Sequence, residues 1–446
     1  MKKSCLVATT VATIMLSGFP LGAQQPPDST ARAQQQAQQR ALDSLAASVR
    51  AMQARLDSVE RAPAPAPVQA RTSGAYMNVS FVGLTDFAWS SQSDVGELQR
   101  GGHEPKVRGF SIPNAELALD GTVDPYLKAF VNIVHSLDAK GETSVELEEM
   151  YFLTTGLPHN LQVKAGQFFA EFGRQNAQHP HAWAFADQPL VLNRMLGPDG
   201  LRSQGARISW LLPTSFYTEA MFTVMNSAGA TTFSFRSDES PEIHGGDVQL
   251  DRPVKGAGDM LYVPRITTSF DLNDTQTLLL GASGAFGPNN SGPRASTAIY
   301  GGDLYWKWKS PRADAGFPFV AVQSEYLLRR YGAAARRTLD YHYGALGWLD
   351  TETLTDEGAY AQVQWGIRPR IVAAVRGEYV NGDAAMFVVP LRQRRTRVSP
   401  NFTWFPTEFS KFRVQYNYDN RRGIGGDHTL LMQFEFLLGA HAAHKF

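Results

Sequence analysis

The chain holds one cysteine among its 446 residues, Cys5, so neither a disulfide framework nor a cysteine-based zinc site is open to it. Its 42 basic residues offset its 42 acidic ones, which excludes the basic balance of a nucleic-acid binder. It has no run of about twenty consecutive apolar residues, the length a membrane helix needs. Gly-x-Ser-x-Gly, His-Glu-x-x-His, Walker and dinucleotide-binding motifs are all missing, so no enzymatic activity is expected. Glycine is plentiful at 39 residues, yet none falls between 24 and 61.

The two ends of the chain differ in character. "MKKSC" followed by "LVATTVATIMLSGF" pairs a positive start with a short apolar stretch, and Ala23 offers a cleavage point. That pattern is a secretory signal peptide over residues 1–23, with which Cys5 is discarded. Between 24 and 61, Leu42, Leu45, Val49, Met52, Leu56 and Val59 recur at alternating steps of three and four, an a/d seam. The seam predicts a short periplasmic coiled-coil helix. Arg55 and Glu60 fall at interhelical pairing positions, and "RLDSVE" suits a three-stranded coil. "APAPAP" then opens an extended Pro/Ala linker over 62–75.

From Tyr76 the period becomes two. In "KFRVQYNYD", Phe412, Val414, Tyr416 and Tyr418 alternate with Lys411, Arg413, Gln415, Asn417 and Asp419. A soluble sandwich and a membrane barrel both produce this alternation. Connection lengths separate them. Short connections are predicted at 122–125, 155–159, 213–215, 273–274, 310–315, 368–369 and 406–408. They alternate with long loops containing 90–109, 137–144, 171–203, 227–260, 287–296, 331–356, 382–393 and 420–427. This is the rhythm of an all-β, transmembrane antiparallel β-barrel of about 16 strands over 76–446, with short periplasmic turns and long external loops. The even positions from Leu430 to Phe446 form one outward row, and the terminal Phe resembles the assembly signal of bacterial outer-membrane barrels.

Signal peptide, short coiled coil and barrel together resemble the phosphate-selective porin O and P family. The resemblance covers nearly the whole mature chain, as layout rather than as motif. It implies a homotrimer in the outer membrane, surrounded by lipid, that passes small hydrophilic solutes or anions. The phase of each strand turns Lys307, Lys309, Arg329, Arg376, Arg395, Arg397 and Arg413 into the lumen, together with Glu325, Glu378 and Glu435. Arginine suits phosphate, but the acids among these bases argue against a dedicated phosphate ladder. A non-conducting barrel acting as adhesin or scaffold is the alternative of a different class.

The third long loop, 171–203, is too apolar to stand free: Phe172, Trp183, Phe185, Leu190, Val191, Leu192 and Met195 need burial. It is expected to fold into the barrel as a constriction, presenting Arg174, His179, His181, Asp187 and Arg194. His179, Pro180, His181, Trp183, Asp187, Gln188, Pro189, Gly200, Leu201 and Arg202 also resemble a segment of short outer-membrane proteins described as zinc-regulated TonB-dependent receptors. Those receptors need a large plug domain, for which the residues before Tyr76 leave no room. The resemblance implies zinc-linked uptake; the residues offer either a structural loop, in which Pro180 stiffens the turn and the histidines hydrogen-bond to barrel-wall acids, or zinc ligation by His179 and His181. From the residues alone that is only a partial site, because Asp187, His135 and His159 are unlinked to the pair by any metal-site spacing. No cofactor is otherwise expected.

Overall fold

The computed structural model describes residues 76–439, apart from 94, 96–97, 99–100, 139, 238–242, 244–253, 341–344 and 384–391. The signal peptide, the coiled-coil seam, the linker and the row from Ala440 to Phe446 lie outside the described residues.

The strands follow one another in the rhythm of the turns. They are β1 (Tyr76–Ser90), β2 (Gly109–Thr122), β3 (Leu127–Leu137), β4 (Thr143–Thr154), β5 (Leu161–Phe169) and β6 (Arg202–Leu211). Next come β7 (Tyr217–Asn226), β8 (Met260–Asn273), β9 (Gln276–Pro288), β10 (Ser296–Asp314), β11 (Phe317–Ala333), β12 (Arg336–Asp340) and β13 (Ala345–Leu349). The last are β14 (Glu352–Arg368), β15 (Ile371–Gly382), β16 (Arg395–Thr407), β17 (Ser410–Arg421) and β18 (Gly425–Gly439). All but β12 and β13 form one closed antiparallel barrel, sealed where β1 pairs with β18 from Ser80↔Gly439 to Ser90↔Thr429. Closure leaves no unpaired edge.

Burial settles what alternation left open. Along β16, Arg395, Arg397, Ser399, Asn401 and Thr403 are buried, while Val398, Phe402 and Trp404 are about half exposed. Charges inside and apolar side chains outside invert the order of a soluble protein; this is a transmembrane barrel. Exposed aromatics gather near both rims: Trp210, Trp365 and Trp404 toward the short turns, Tyr300, Tyr326 and Tyr418 toward the loops. Such girdles mark the two membrane interfaces.

Four predicted connections differ. Residues 310–314 continue β10, and the turn is Ala315–Gly316, both at positive φ (46° and 89°). A two-residue turn of that kind matches strand twist, and Pro311 falls in the irregular stretch between Lys309↔Phe319 and Asp314↔Phe317, where the register shifts. The loops expected around 137–144 and 420–427 shrink to 138–142 and 422–424. In the first, Asp138 Oδ1 accepts the N–H groups of Lys140 and Glu142, each at 2.8 Å, which tightens the turn. Within 331–356, β12 and β13 form a separate hairpin.

Candidate functional site: the loop inside the barrel

The 170–201 segment leaves β5 and returns to β6, its base closed by Ala170 N–H donating to Leu201 O at 2.9 Å. Its apolar residues lie inside the barrel. Phe172, Leu190, Val191, Leu192, Met195 and Leu196 join one core with Leu261, Ile299, Leu327 and Val380 of the inner wall. Wall glycines make room for it. A Cβ at Gly301 would meet the Phe172 ring at 2.7 Å. At Gly173 the backbone has φ +62°, and a Cβ would lie 2.0 Å from Glu325 Oε2. Only glycine suits both the turn and the approach.

One flank is held by β11, β14 and the strands after it. Glu325 Oε1 accepts the N–H groups of Arg174 (3.2 Å) and Gln175 (2.8 Å) and the Tyr360 hydroxyl (2.8 Å). Glu378 Oε2 accepts the first N–H of the buried helix α1 (Leu190–Leu196) at 2.6 Å, and Arg329 donates to Arg194 O at 3.1 Å. Arg194 itself donates to Gln393 O at 3.1 Å. Asp187 is the centre of this flank. Its carboxylate receives Arg376, Arg397 at 2.9 Å, Gln415 at 2.6 Å and Asn417 at 2.8 Å, from three different strands. Burial pushes the Asp187 pKa up, but the two guanidiniums and these donors prevail and pull it down to about 2.

A second flank rests on β2 and β4. His179 Nδ1 lies 2.9 Å from Glu148 Oε2 and 3.6 Å from Glu116 Oε2, while its Nε2 lies 2.9 Å from Glu149 Oε2. His181 Nδ1 is 3.1 Å from Glu116 Oε2, and the two rings stack at 5.7 Å. Burial disfavours the imidazolium, yet the carboxylates around it hold the His179 pKa well above the ordinary histidine value. His103, from the 91–108 loop, adds a contact to Glu148 at 3.3 Å.

Glu148 and Glu149 both point inward, which period two forbids. Pairing runs Asn132↔Glu149 and then Ile133↔Leu147, so Glu148 is an extra residue, a β-bulge. "ELEEM" carries the signal in the sequence, two adjacent carboxylates across both phases. For Glu116, His103, Lys411, Gln415 and Asn417 the sequence carries no comparable signal of a role as loop partners.

Of the predicted loop residues, His179, Asp187 and Arg194 are held against the wall, while Arg174 and His181 also border a cavity beneath the loop. Arg329, Arg376, Arg397, Glu325 and Glu378 bind the loop rather than line open water, and Arg413 both donates to Trp183 O and lines a cavity. Arg395 donates to Leu98 O at 2.8 Å and pairs with Asp419. Glu435 pairs with Lys411 at 2.6 Å, Lys307 lines a cavity, and Lys309 is exposed outside that cavity. The wider zinc grouping does not assemble. Asp187 sits on the other flank, His159 is exposed in a short turn, and His135 has the strand phase opposite to the buried Asn132 and Val134. Among the described residues no group of three or more His, Cys, Asp or Glu is placed to hold a metal ion.

A closed sixteen-strand barrel with an inward-folded loop defines a protein of the porin fold class. No family model matches the chain. Solved structures share its fold: an anion-selective porin from Comamonas acidovorans has a TM-score of 0.51 at 8% identity, covering 82% of this chain and 100% of that one. The outer-membrane channel DcaP of Acinetobacter baumannii has a TM-score of 0.50 at 13% identity, covering 82% and 99%. OmpF of Salmonella typhi also reaches 0.50, at 10% identity and covering 83% and 100%. The chain belongs to the same family as an uncharacterised protein of Aquifex aeolicus, with 33% identity over 405 residues spanning 83% of this chain and 78% of that one.

Proposed function

We propose that the protein is an outer-membrane channel for small hydrophilic solutes or ions, and that the 170–201 loop is its constriction. One observation carries this: the loop lies within the lumen and is clamped to two separate groups of strands, through Asp187 and through His179. A segment held in that way sets the width of the path beside it. The reading places the short turns and the N-terminal segment in the periplasm and the long loops outside the cell. Full-length protein in planar lipid bilayers should give discrete conductance steps. Membranes that stay silent at every voltage tested would remove the channel reading.

The burial of every residue of α1 supports a second reading, a barrel closed by its own loop that serves as adhesin or scaffold. The same recording separates the two, since that barrel stays silent.

The seam from Leu42 to Val59 supports a homotrimer. Deleting residues 40–61 should shift the detergent-solubilised protein from trimer to monomer in size-exclusion chromatography with light scattering. An unchanged mass would remove that role from the seam.

A further inference from the structure

Several cations in the lumen, including Lys411 at the edge of the cavity beneath the loop, are matched by carboxylates. Arg265 pairs with Asp303 at 2.7 Å, Arg329 with Asp356 at 2.7 Å, Arg395 with Asp419 at 2.6 Å, and Lys411 with Glu435 at 2.6 Å. Buried ions need such partners. Arg174, Lys307 and Arg413, gathered around one cavity, depart from this pattern. The Arg174 guanidinium stacks 3.9 Å from the Tyr305 ring centre and donates from Nε only to the neutral Gln323, at 3.3 Å. Lys307 Nζ lies 5.0 Å from the Phe319 ring centre. Arg413 donates to Gln433 Oε1 at 2.9 Å, to Trp183 O at 2.8 Å and to Thr403 Oγ1 at 3.3 Å. Among the described residues none of the three forms an ion pair with a carboxylate.

All three line one cavity of about 480 Å³, and no Asp or Glu lines it. Its roof is the underside of the loop, including Arg174, Gln178 and Trp183. Its wall includes Phe319, Gln364, Val372 and Phe405, which lie close to the short turns at 315–316, 369–370 and 408–409. The chamber therefore sits on the short-turn side of the constriction. Its cations are interleaved with aromatic faces from Tyr305, Phe319 and Phe405 and with the amides of Gln323 and Gln362.

We propose that this chamber is a binding site for a small organic anion, a carboxylate carried on a flat apolar body. Arg174 and Lys307 take the carboxylate, and Tyr305, Phe319 and Phe405 take the body. The physical reason is complementarity. Unmatched cations in a partly dehydrated chamber attract an anion more strongly than they would in water. The aromatic faces reward burial of an apolar body, which a compact, strongly hydrated anion does not possess. The inference deepens the channel reading by naming a solute class, and it rests on that reading for its physiological meaning.

The test is calorimetric titration of the full-length protein in detergent with sodium benzoate, benzyl alcohol and inorganic phosphate at constant ionic strength. Benzoate should bind at one site, and Arg174→Gln/Lys307→Gln should weaken it about tenfold or more, the scale of losing charge-assisted hydrogen bonds. Benzyl alcohol should not bind, and phosphate should bind at least about tenfold more weakly than benzoate. Lys307→Gln alone, at a half-buried position, should weaken benzoate in the same direction and serves if the double variant fails to fold. Silence with benzoate, equal affinity in a folded variant, or phosphate binding as tightly as benzoate would each overturn the site. Conductance is not the readout. A conducting protein that ignores benzoate loses this inference alone, and a silent barrel that binds it loses only the channel.

Discussion

Asp187→Ala should free the inner loop while leaving the barrel closed. The Asp187 carboxylate joins the loop to β15, β16 and β17 at once, through Arg376, Arg397, Gln415 and Asn417. Removing one member of a buried ion cluster costs about 3 to 5 kcal/mol. The lower end applies, because Arg376 keeps Glu378 at 2.8 Å and Arg397 keeps Asp419 at 2.8 Å. The cost falls on the loop. The barrel is held by backbone ladders, with β16 and β17 paired on both edges, and these ladders do not involve Asp187. Limited proteolysis should cut the variant between 170 and 201 under conditions where the parent resists, with the heat-resistant barrel band unchanged on gels. Conductance should rise and become noisier. A variant as protease-resistant as the parent would show that Asp187 is not the clamp.

The same group sets an acid limit. Its pKa falls from 3.8 to about 2 when the loop is seated, so its contribution is fully present above pH 3.8 and is lost as pH drops through about 2. The shift corresponds to about 2 to 3 kcal/mol, in line with the mutational cost.

Raising pH should loosen the other flank. The His179 pKa in the seated loop lies well above its ordinary 6.5. A raised pKa gives stabilisation that is fully present below 6.5 and is lost as pH climbs through the seated value. The neutral ring then leaves Glu116, Glu148 and Glu149 crowded together with less positive charge. Conductance should therefore increase on the alkaline side. His179→Gln, which keeps a polar side chain but cannot titrate, should flatten that dependence at the more open level. If the variant shows the same alkaline rise as the parent, the response originates elsewhere. Between the two limits, from pH 3.8 to 6.5, both flanks are engaged.

Much of this could be read in the chain. Leu430, Met432, Phe434 and Leu438 lie on the outer face as their spacing predicts, and Arg395, Arg397, Arg413 and Asp419 lie within. The apolar content of 171–203 correctly announced a buried loop. Its partners were not readable, because each lies on a strand far away in sequence: Asp187 meets residues 376, 397, 415 and 417. The Glu148 bulge was hidden for a related reason. Whether an extra residue is absorbed depends on the register of the neighbouring strand.

What the sequence by itself determined is the wall. A period of two, turn residues and alternating connection lengths are local quantities, and a barrel in lipid is built from local pairings between consecutive strands. What only the tertiary structure decided is the interior. Closure of β1 on β18 brings both ends of the chain's charge pattern around a single loop. Which cations are then neutralised, as at Asp187, and which are left facing a chamber, as at Arg174 and Lys307, follows from three-dimensional distance. Coulomb energy depends on that distance and on burial, and separation along the chain encodes neither.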